Sequence, residues 1–453
     1  MRAKDFARVV GGGTPKNASD PANFDPNGTP WLTPADLSGY ARSTIGTGRR
    51  SLSQLGLRNS ASRTLPAGTV LVSSRAPVGY CAVAANEVCT NQGFRSLLCD
   101  DSVDPFFIRY YVLYSRAYLE DNASGTTFKE LSGSALGGLI FPIPTIDSQR
   151  RIVARIDELF GELDDGETAL ALARNELETY RKALLKAAVT GELTADWRAA
   201  NPPDYAGGDP LGRRILADNA TSTRSRTARK PESVGVVENS WPSLPSGWCY
   251  ASLESLLADE PNALTDGPFG SKLKSEHYRD AGPRVVRLQN IGKLGQFVDA
   301  RAHISAEHFD SLAKHHVEAG DLVVAILGET APRAALIPES FGLGLVKADC
   351  FKIRLDERIG KHFVWAWLNS SIVQGRLASA IKGVGRPRIG MQNIRTLPVP
   401  VPPPEERDEL ETTLAWALAS QAEQLAAVTE FAENAQILRQ SILAAAFRGD
   451  LVQ

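Results

Sequence analysis

FPIPTIDSQRRIVARIDELFGELDDGETALALARNELETYRKALLKAAVTGEL, residues 141–193, decides the fold, because the chain contains this stretch twice. Residues 399–451, VPVPPPEERDELETTLAWALASQAEQLAAVTEFAENAQILRQSILAAAFRGDL, superpose on it at a constant offset of 258 without a gap. Internal self-similarity has to be settled before any local reading. Each copy opens on a proline signal (Pro142, Pro144; Pro400, Pro402, Pro403, Pro404) that holds the chain extended and then lets a helix start. Acidic residues follow (Asp147; Glu405, Glu406), where the helix dipole favours them. Gly191 and Gly449 close the copies and suit a left-handed C-terminal cap.

Between these marks apolar residues recur at alternating steps of four and three. In the first copy they include Ile152, Ile156, Leu159, Leu163, Leu170, Leu177, Tyr180 and Leu184. In the second they include Leu410, Leu414, Val428, Phe431, Leu438 and Ile442. Gly166, Gln421 and Gln424 interrupt the seam. A seam kept over about five heptads predicts a coiled coil, with each helix roughly 65 Å long. Two such helices in one chain most economically pair with each other. An antiparallel pair would bring Gly166 and the two glutamines close together; pairing with a second chain is the alternative. On either arrangement the helices act as a spacer.

The rest of the chain falls into two globular units and a linker. Residues 1–140 carry 14 basic and 11 acidic side chains, and residues 244–398 carry 19 and 16. The helical copies are acidic, with 7 basic against 10 acidic residues in 145–193 and 3 against 9 in 403–453. The overall charge of −2 therefore hides mildly basic units and acidic rods, a split that suits units on a polyanion and rods against protein. The chain lacks a run of 18 apolar residues, and its start, MRAKDFARVVGGG, lacks the apolar core of a signal peptide. The five cysteines have no CxxC spacing and read as reduced thiols of a cytoplasmic protein.

In the first unit the glycine loop Gly11-Gly12-Gly13-Thr14-Pro15-Lys16 precedes short strands at 31–32, 68–74 and 80–84, and a helix over 105–119. The loop Ser124-Gly125-Thr126-Thr127-Phe128-Lys129 leads back to the proline signal. The pattern is α+β, without the strand–helix alternation of a doubly wound sheet. Residues 194–243 form a polar linker with at most one short helix, near 210–218. The second unit repeats the plan. After LPSGW (244–248), the loop Asp266 to Leu273 (DGPFGSKL) stands where the first glycine loop stood. VRLQNI (286–291) matches LTPADL (32–37), AGDLVV (319–324) matches AGTVLV (67–72), Phe351 matches Phe94 and Gly383 matches Gly125. The apolar skeleton recurs while the polar residues differ.

This order (unit, proline signal, long helix ending GEL, linker, LPSGW, second unit, second helix ending GDL) resembles the specificity subunit of type I restriction–modification systems, over essentially the whole chain. The DGPFGSKL and SGTTFKEL loops and the PIP and PVP helix entries carry the match. The resemblance implies two target recognition domains, residues 1–140 and 244–398. It also implies spacer helices over 141–193 and 399–453 that pair antiparallel, with 194–243 as linker. Each domain would read half of an asymmetric bipartite site in double-stranded DNA. Two methylation subunits, which hold AdoMet and modify adenine at N6, and two restriction subunits would be the partners; this chain would bind no cofactor and catalyse nothing. One departure is Asp147-Ser148-Gln149, where the family usually has Glu-Gln. Another is the short segment before the first glycine loop, which implies a trimmed or permuted edge to the first domain.

Two further readings stand beside this one. A self-contained methyltransferase or nuclease would need motifs that are incomplete here. Asn201-Pro202-Pro203-Asp204 resembles the tetrapeptide of amino-methyltransferases but ends in Asp204 where an aromatic residue belongs, and it lies in the linker. Gly342-Leu343-Gly344 is too short for a cofactor loop, and the six histidines, all in the second unit, show no metal spacing. The third reading is a coiled-coil scaffold that binds only protein.

Reading a base edge requires forked donors for guanine or amides for adenine. The candidates in the first unit are Lys16, Arg75, Asn91, Gln92, Thr126, Thr127 and Lys129. In the second they are Lys272, Lys274, Arg287, Gln289, Asn290, Lys382, Arg386 and Arg388. Arg386-Pro387-Arg388 falls on Phe128-Lys129-Glu130, so that loop is basic in only one copy. The two lists differ, which predicts an asymmetric target whose halves lie about one DNA turn apart.

Overall fold

A computed structural model of the chain describes residues 1–40, 42–75, 77–124, 129–202, 241–328, 331–378 and 388–451. It divides into two units, Met1–Leu172 with Val428–Gln453, and Ala173–Ala427.

In the first unit, β1 (Ala7–Gly11), β3 (Thr44–Ile45), β5 (Val70–Ser73), β6 (Cys81–Ala84) and β8 (Phe94–Cys99) form a mixed sheet of order β1-β8-β5-β6-β3. A smaller sheet, β4-β2-β7, uses β2 (Phe24–Leu32), β4 (Arg50–Leu52) and β7 (Cys89–Thr90). Central β5 is buried throughout, and its alternation splits the core. Leu71 joins Val10, Leu32, Ala82 and Phe94 in one layer, while Val70 and Val72 join Phe6, Leu97, Phe107 and Ile108 in another. Helix α1 (Pro105–Tyr114), capped by Asp104, belongs to the second layer. The helix expected over 105–119 is broken at Ser115, where a second helix begins at Arg116. Strands β1, β3, β4 and β7, which lie at sheet edges, went unread in the sequence, as did β8, an inner strand of six residues.

The second unit repeats this topology except that β3 has no counterpart and an edge strand, His316–Val317, is added. Strands β10 (Leu264–Asp266), β14 (Leu322–Ala325), β15 (Arg333–Leu336) and β17 (Cys350–Ile353) form the order β10-β17-β14-β15. Strands β11 (Tyr278–Val286), β12 (His303–Ile304), β13 (His316–Val317) and β16 (Gly344–Val346) form β12-β11-β16-β13. The parallel pairing of β2 with β7 recurs in β11 with β16. Register corrects one expected match. Phe94 lies opposite Ser73 and Cys350 lies opposite Ala325, so Phe94 corresponds to Cys350 and Arg95 to Phe351. A one-residue slip on a strand exchanges its faces, and Cys350 occupies the layer that Phe94 occupies in the first unit. Strand β9 (Cys249–Ser252) pairs with β18 (Pro398–Val401), while in the first unit Arg2 bridges Ile140 and Met1 exchanges hydrogen bonds with Phe141. Helix α2 (Lys361–Asn369) presents Trp365 and Trp367 to the core.

The long helices are α3, Ile146–Thr190 in the first copy, and α4, Pro404–Arg448 in the second; each has 45 residues. Gly191 and Gly449 adopt φ of 77° and 90°, the left-handed caps expected of them. Each unit contains one half of both helices. In the first, Ile156 packs with Leu443 and Ala446, while Asp164 and Glu167 meet Arg439. In the second, Leu177 and Arg181 meet Gln421, while Leu184 and Leu185 share a core with Leu410 and Leu414. Numbers fall on one helix as they rise on the other, so the pairing is antiparallel.

The seam is driest near the globular parts. Ile156, Leu184, Leu410 and Leu414 are buried, whereas Ile152, Leu159, Leu163, Leu170, Leu177, Val428 and Ile442 are half-buried. Phe431 and Leu438 are 44% and 43% exposed and Tyr180 is 52% exposed, although all three were expected on the apolar seam. Two helices alone cover only one side of each other's apolar stripe, and the far side is dry only where a globular core adds to it. The weak spots are not opposed either. Gly166 faces Phe431, Gln421 bonds to Leu177 and Arg181, and Gln424 is exposed.

Side chains lock each globular part to its helix ends. Phe447 of α4 packs on Phe107, Tyr111 and Tyr114 at ring distances of 5.3, 4.9 and 5.5 Å. Gln149, in the departing Asp147-Ser148-Gln149 segment, is fully buried; it accepts from the Asp104 amide at 2.8 Å and donates to the carbonyls of Ser102 and Pro144. In the second unit Glu406 is buried and accepts from Thr194 (2.7 Å), Trp248 Nε1 (2.8 Å) and Arg198. Arg198 lies on a short helix, Ala195–Ala200, inside the segment read as linker. Most of that linker, including 210–218, lies outside the described residues.

None of the five cysteines is in a disulfide. Burial pushes the thiols of Cys81, Cys99 and Cys350 up to about 12 and that of Cys89 upward. At pH 8 a thiol with such a pKa is on the order of one part in ten thousand thiolate, the reactive form. Native protein titrated with an aromatic disulfide at pH 8 is therefore expected to leave Cys81 and Cys350 unlabelled. Denaturant should expose all five thiols, and prompt labelling of Cys350 in the native state would contradict the packing.

Candidate nucleic-acid interface

The end of β1 and the turn after β7 meet at one rim of the first unit. A Cβ on Gly12 would lie 2.1–2.4 Å from Asn91 O and Thr90 atoms, so the glycine loop touches the backbone of this turn directly. Thr14 donates to the side chain of Gln92, and Asn91 Oδ1 caps Gly93 N at 2.9 Å. Arg95 reaches back to Gln92 O (3.1 Å) and across to Glu130 (3.0 Å). Glu130 also holds Arg75 at 3.1 Å, and the two residues form a β-bridge. The rim thus gathers Arg75, Asn91, Gln92 and Lys129 of the expected set, with Lys16 and Gln92 exposed. Thr126 and Thr127 lie outside the described residues. Arg95 was missed because it sits in a strand rather than in a loop.

The second unit builds the same rim from other residues. A Cβ on Gly267 would lie 2.0–2.5 Å from the backbone of Lys347 and Ala348, repeating the close approach at Gly12. Leu327 bridges Arg388 where Arg75 bridges Glu130, so Arg388 stands in the place of Glu130. The partners are inverted with it: Arg388 pairs with Asp349 at 2.5 Å, and its guanidinium lies 6.0 Å from the Phe269 ring centre. A carboxylate held by two guanidinium groups in one copy becomes a guanidinium held by a carboxylate in the other.

Lys272 and Lys274 are exposed, Lys274 lying 3.6 Å from Glu276. They flank a cavity of about 370 Å³ lined by His277, Arg279, Ser305, Glu307, His308 and Ser311. The His277 and His308 rings lie 4.1 Å apart. Two other candidates have structural duties. Asn290 is 1% exposed; it accepts from Arg287 N at 2.9 Å and donates to the carbonyls of Val298 and Ala300. It is the counterpart of Asp36, which accepts from Thr33 N at 2.8 Å, and a side chain spent this way is unavailable to a base edge. Arg287 donates to the carbonyls of Ala300 and Arg301, both at 3.3 Å. With its amide oxygen turned inward, the exposed Gln289 accepts from Arg287 at 2.9 and 3.2 Å. Lys382 and Arg386 lie outside the described residues, as does Gly383.

Among the described residues, no group of three or more His, Cys, Asp and Glu side chains is placed to hold a metal ion, and no helix is long and apolar enough to cross a membrane. An open groove of about 850 Å³ lies beside β1, lined by Arg2, Lys4, Arg8, Asp100, Gly133 and Gly137 among others.

Comparison with known proteins gives a consistent picture. Residues 1–171 match the family model for the type I restriction modification DNA specificity domain. The type I restriction enzyme MjaIX specificity subunit of Methanocaldococcus jannaschii is 36% identical over 154 residues, 33% of this chain and 35% of that protein. The EcoBI specificity subunit of Escherichia coli is 24% identical over 334 residues, 73% of this chain and 62% of that one. The chain thus spans less than two thirds of the length of these two relatives. Among solved structures, a chain from a study of complex assembly and conformational transition in a type I R-M system superposes with a TM-score of 0.65, at 15% identity, over 99% of this chain and 97% of that one. The HsdS subunit from Thermoanaerobacter tengcongensis superposes with a TM-score of 0.51, at 16% identity, over 99% and 96%. Residues 1–171 thus match the DNA specificity domain of type I restriction–modification systems, and the duplicated α+β domain with its antiparallel helices shares the fold of these solved chains.

Proposed function

We propose that this chain reads an asymmetric two-part site in double-stranded DNA and presents it to separate adenine-N6 methylation subunits, which hold AdoMet, and to restriction subunits. The observation that carries this reading is the doubled rim. One backbone scaffold recurs in register, yet its polar set is changed and at Glu130/Arg388 reversed in sign. A scaffold built only for packing has no need of such a change, whereas two heads reading different bases do. Lys16, Gln92 and Lys129 on the first rim, and Lys272, Lys274, Gln289 and Arg388 on the second, are the residues we assign to DNA.

The test is domain exchange. Replacing residues 1–140 by the recognition domain of another specificity subunit is expected to alter one half of the methylated sequence, read by methylome sequencing of cells carrying the gene with its methylation subunit. A change in both halves would refute modular reading. Labelled-AdoMet assays on the purified chain separate this function from a self-contained methyltransferase, and a gel shift with the methylation subunit separates it from a protein-only scaffold.

The long helices also carry apolar side chains outside the seam. In the second unit Trp416 is 72% exposed. In the first, Leu172 and Ile437 are 60% and 63% exposed. We assign such positions to docking of the methylation subunits, since a large exposed aromatic is a common interface anchor. Trp416→Glu is expected to weaken copurification of the methylation subunit at least tenfold, with the unfolding midpoint unchanged. Undiminished copurification would move the docking surface elsewhere.

A further inference from the structure

Gln421 interrupts the apolar seam of α4, but it is buried, at 5% exposure. Its Nε2 donates to Leu177 O on α3 at 2.6 Å, and its Oε1 accepts from Arg181 Nη1 at 2.7 Å. The other terminal nitrogen of Arg181 donates to Leu294 O, and the guanidinium lies 5.1 Å from the centre of the Trp365 ring. These acceptors are neutral, and burial pulls the Arg181 pKa down to about 10, still charged at neutral pH. Leu294 belongs to the turn closed by the bridge between Ile291 and Phe297, just after the segment holding Arg287 and Gln289. That turn is closely packed: Gly295 has φ 76°, a Cβ there would meet Asn369, Ala334 and Trp365 at 2.8–2.9 Å, and its carbonyl accepts from Trp365 Nε1 at 3.0 Å.

The 258-residue offset makes Arg439 the repeat counterpart of Arg181. Arg439 also crosses between helices, but it pairs with the carboxylates of Asp164 (2.5 Å) and Glu167 (3.0 Å), and its guanidinium lies 5.2 Å from the Phe160 ring, all on α3. One arginine ties helix to helix. The other ties helix to helix and to a loop of the globular domain.

A buried polar pair in an apolar seam costs stability and in exchange selects one register, because any slip leaves its groups unpaired. We propose that Arg181 and Gln421 form a register clasp, which fixes how far α3 slides along α4 in the second unit and binds the Ile291–Phe297 turn to that register. They are then positioning residues for the gap between half-sites, without touching DNA. This proposal rests on the DNA-reading function above.

The test uses the full chain with spin-labelled unnatural residues at Glu176 and Glu423, both exposed, one on each helix. Gln421→Leu is examined first, since it completes the apolar seam and favours folding; Arg181→Met follows, with Arg439→Met as comparator. The expected result is one narrow label distance in the parent, and in Gln421→Leu a broadened distribution or a second distance reflecting a slip of about one turn, 5.4 Å along the axis. In parallel, duplexes with varied gaps are selected by the chain with its methylation subunit. The parent should favour one gap at least tenfold over its neighbours and Gln421→Leu less than threefold, with the half-site bases unchanged. Arg439→Met should leave the second-unit label distance as in the parent. An unchanged distance in both Gln421→Leu and Arg181→Met overturns the clasp, as does an unchanged gap preference. If the parent shows no gap preference at all, the DNA reading fails, while the label distances still judge the clasp.

Discussion

Glu406→Ala is expected to destabilise the second unit by about 3 kcal/mol, the magnitude of breaking a buried ion pair from one side. Glu406 side-chain exposure is 3% and that of its partner Arg198 is 20%, so the cation left behind is poorly solvated. The same carboxylate accepts from Thr194 and from the Trp248 indole, and neither donor regains a partner when it is removed. Three segments converge there: the start of α4, the short helix after α3, and the strand entering the second globular domain. Urea unfolding followed by tryptophan fluorescence should show a transition shifted to lower denaturant. Six of the seven tryptophans (Trp197, Trp241, Trp248, Trp365, Trp367, Trp416) lie in the second unit and report on it directly. A shift below about 1 kcal/mol would mean that the carboxylate is solvated or replaced, and would remove this junction from the account.

Phe447→Ala should act on the other unit. The ring closes an aromatic cluster with Phe107, Tyr111 and Tyr114 where the last turns of α4 meet α1. Truncating a buried phenylalanine costs about 3–5 kcal/mol, and Phe447 is half-buried, so the lower end applies. The functional consequence is one-sided. The first domain should lose its fixed seat on the helix pair, and discrimination should fall at one half of the DNA site only. Methylome sequencing reads this directly: equal loss at both halves would show that the two domains are not seated independently.

The helices were legible in the sequence because their signals are local and repeated. Prolines start them, a four-three apolar spacing runs through them, and glycines at 191 and 449 end them. The correspondence of the two globular domains was legible from AGTVLV and AGDLVV, whose glycines both take the left-handed turn, φ 83° at Gly68 and 86° at Gly320. The slip at Phe94 was not, since a phenylalanine one position away in the other copy attracts the eye while only strand pairing fixes register. Likewise, Asn290 has the chemistry of an adenine reader, and nothing local reveals that its amide closes a turn. The roles of Arg95, Arg181 and Glu406 depend on partners 35, 240 and 208 residues away, beyond the reach of any spacing rule.

Under the proposed DNA-reading function, the sign reversal at Glu130 and Arg388 restricts how new target preferences can arise by recombination. A crossover that carries only the first loop into the second domain would set Glu130 beside Asp349, with Leu327 and Phe351 in place of the two arginines that neutralise it. The reverse graft would set Arg388 between Arg75 and Arg95. Exchanges that break within the duplicated helices carry each charge together with its counter-charge, so whole domains can be traded between genes where their separate loops cannot.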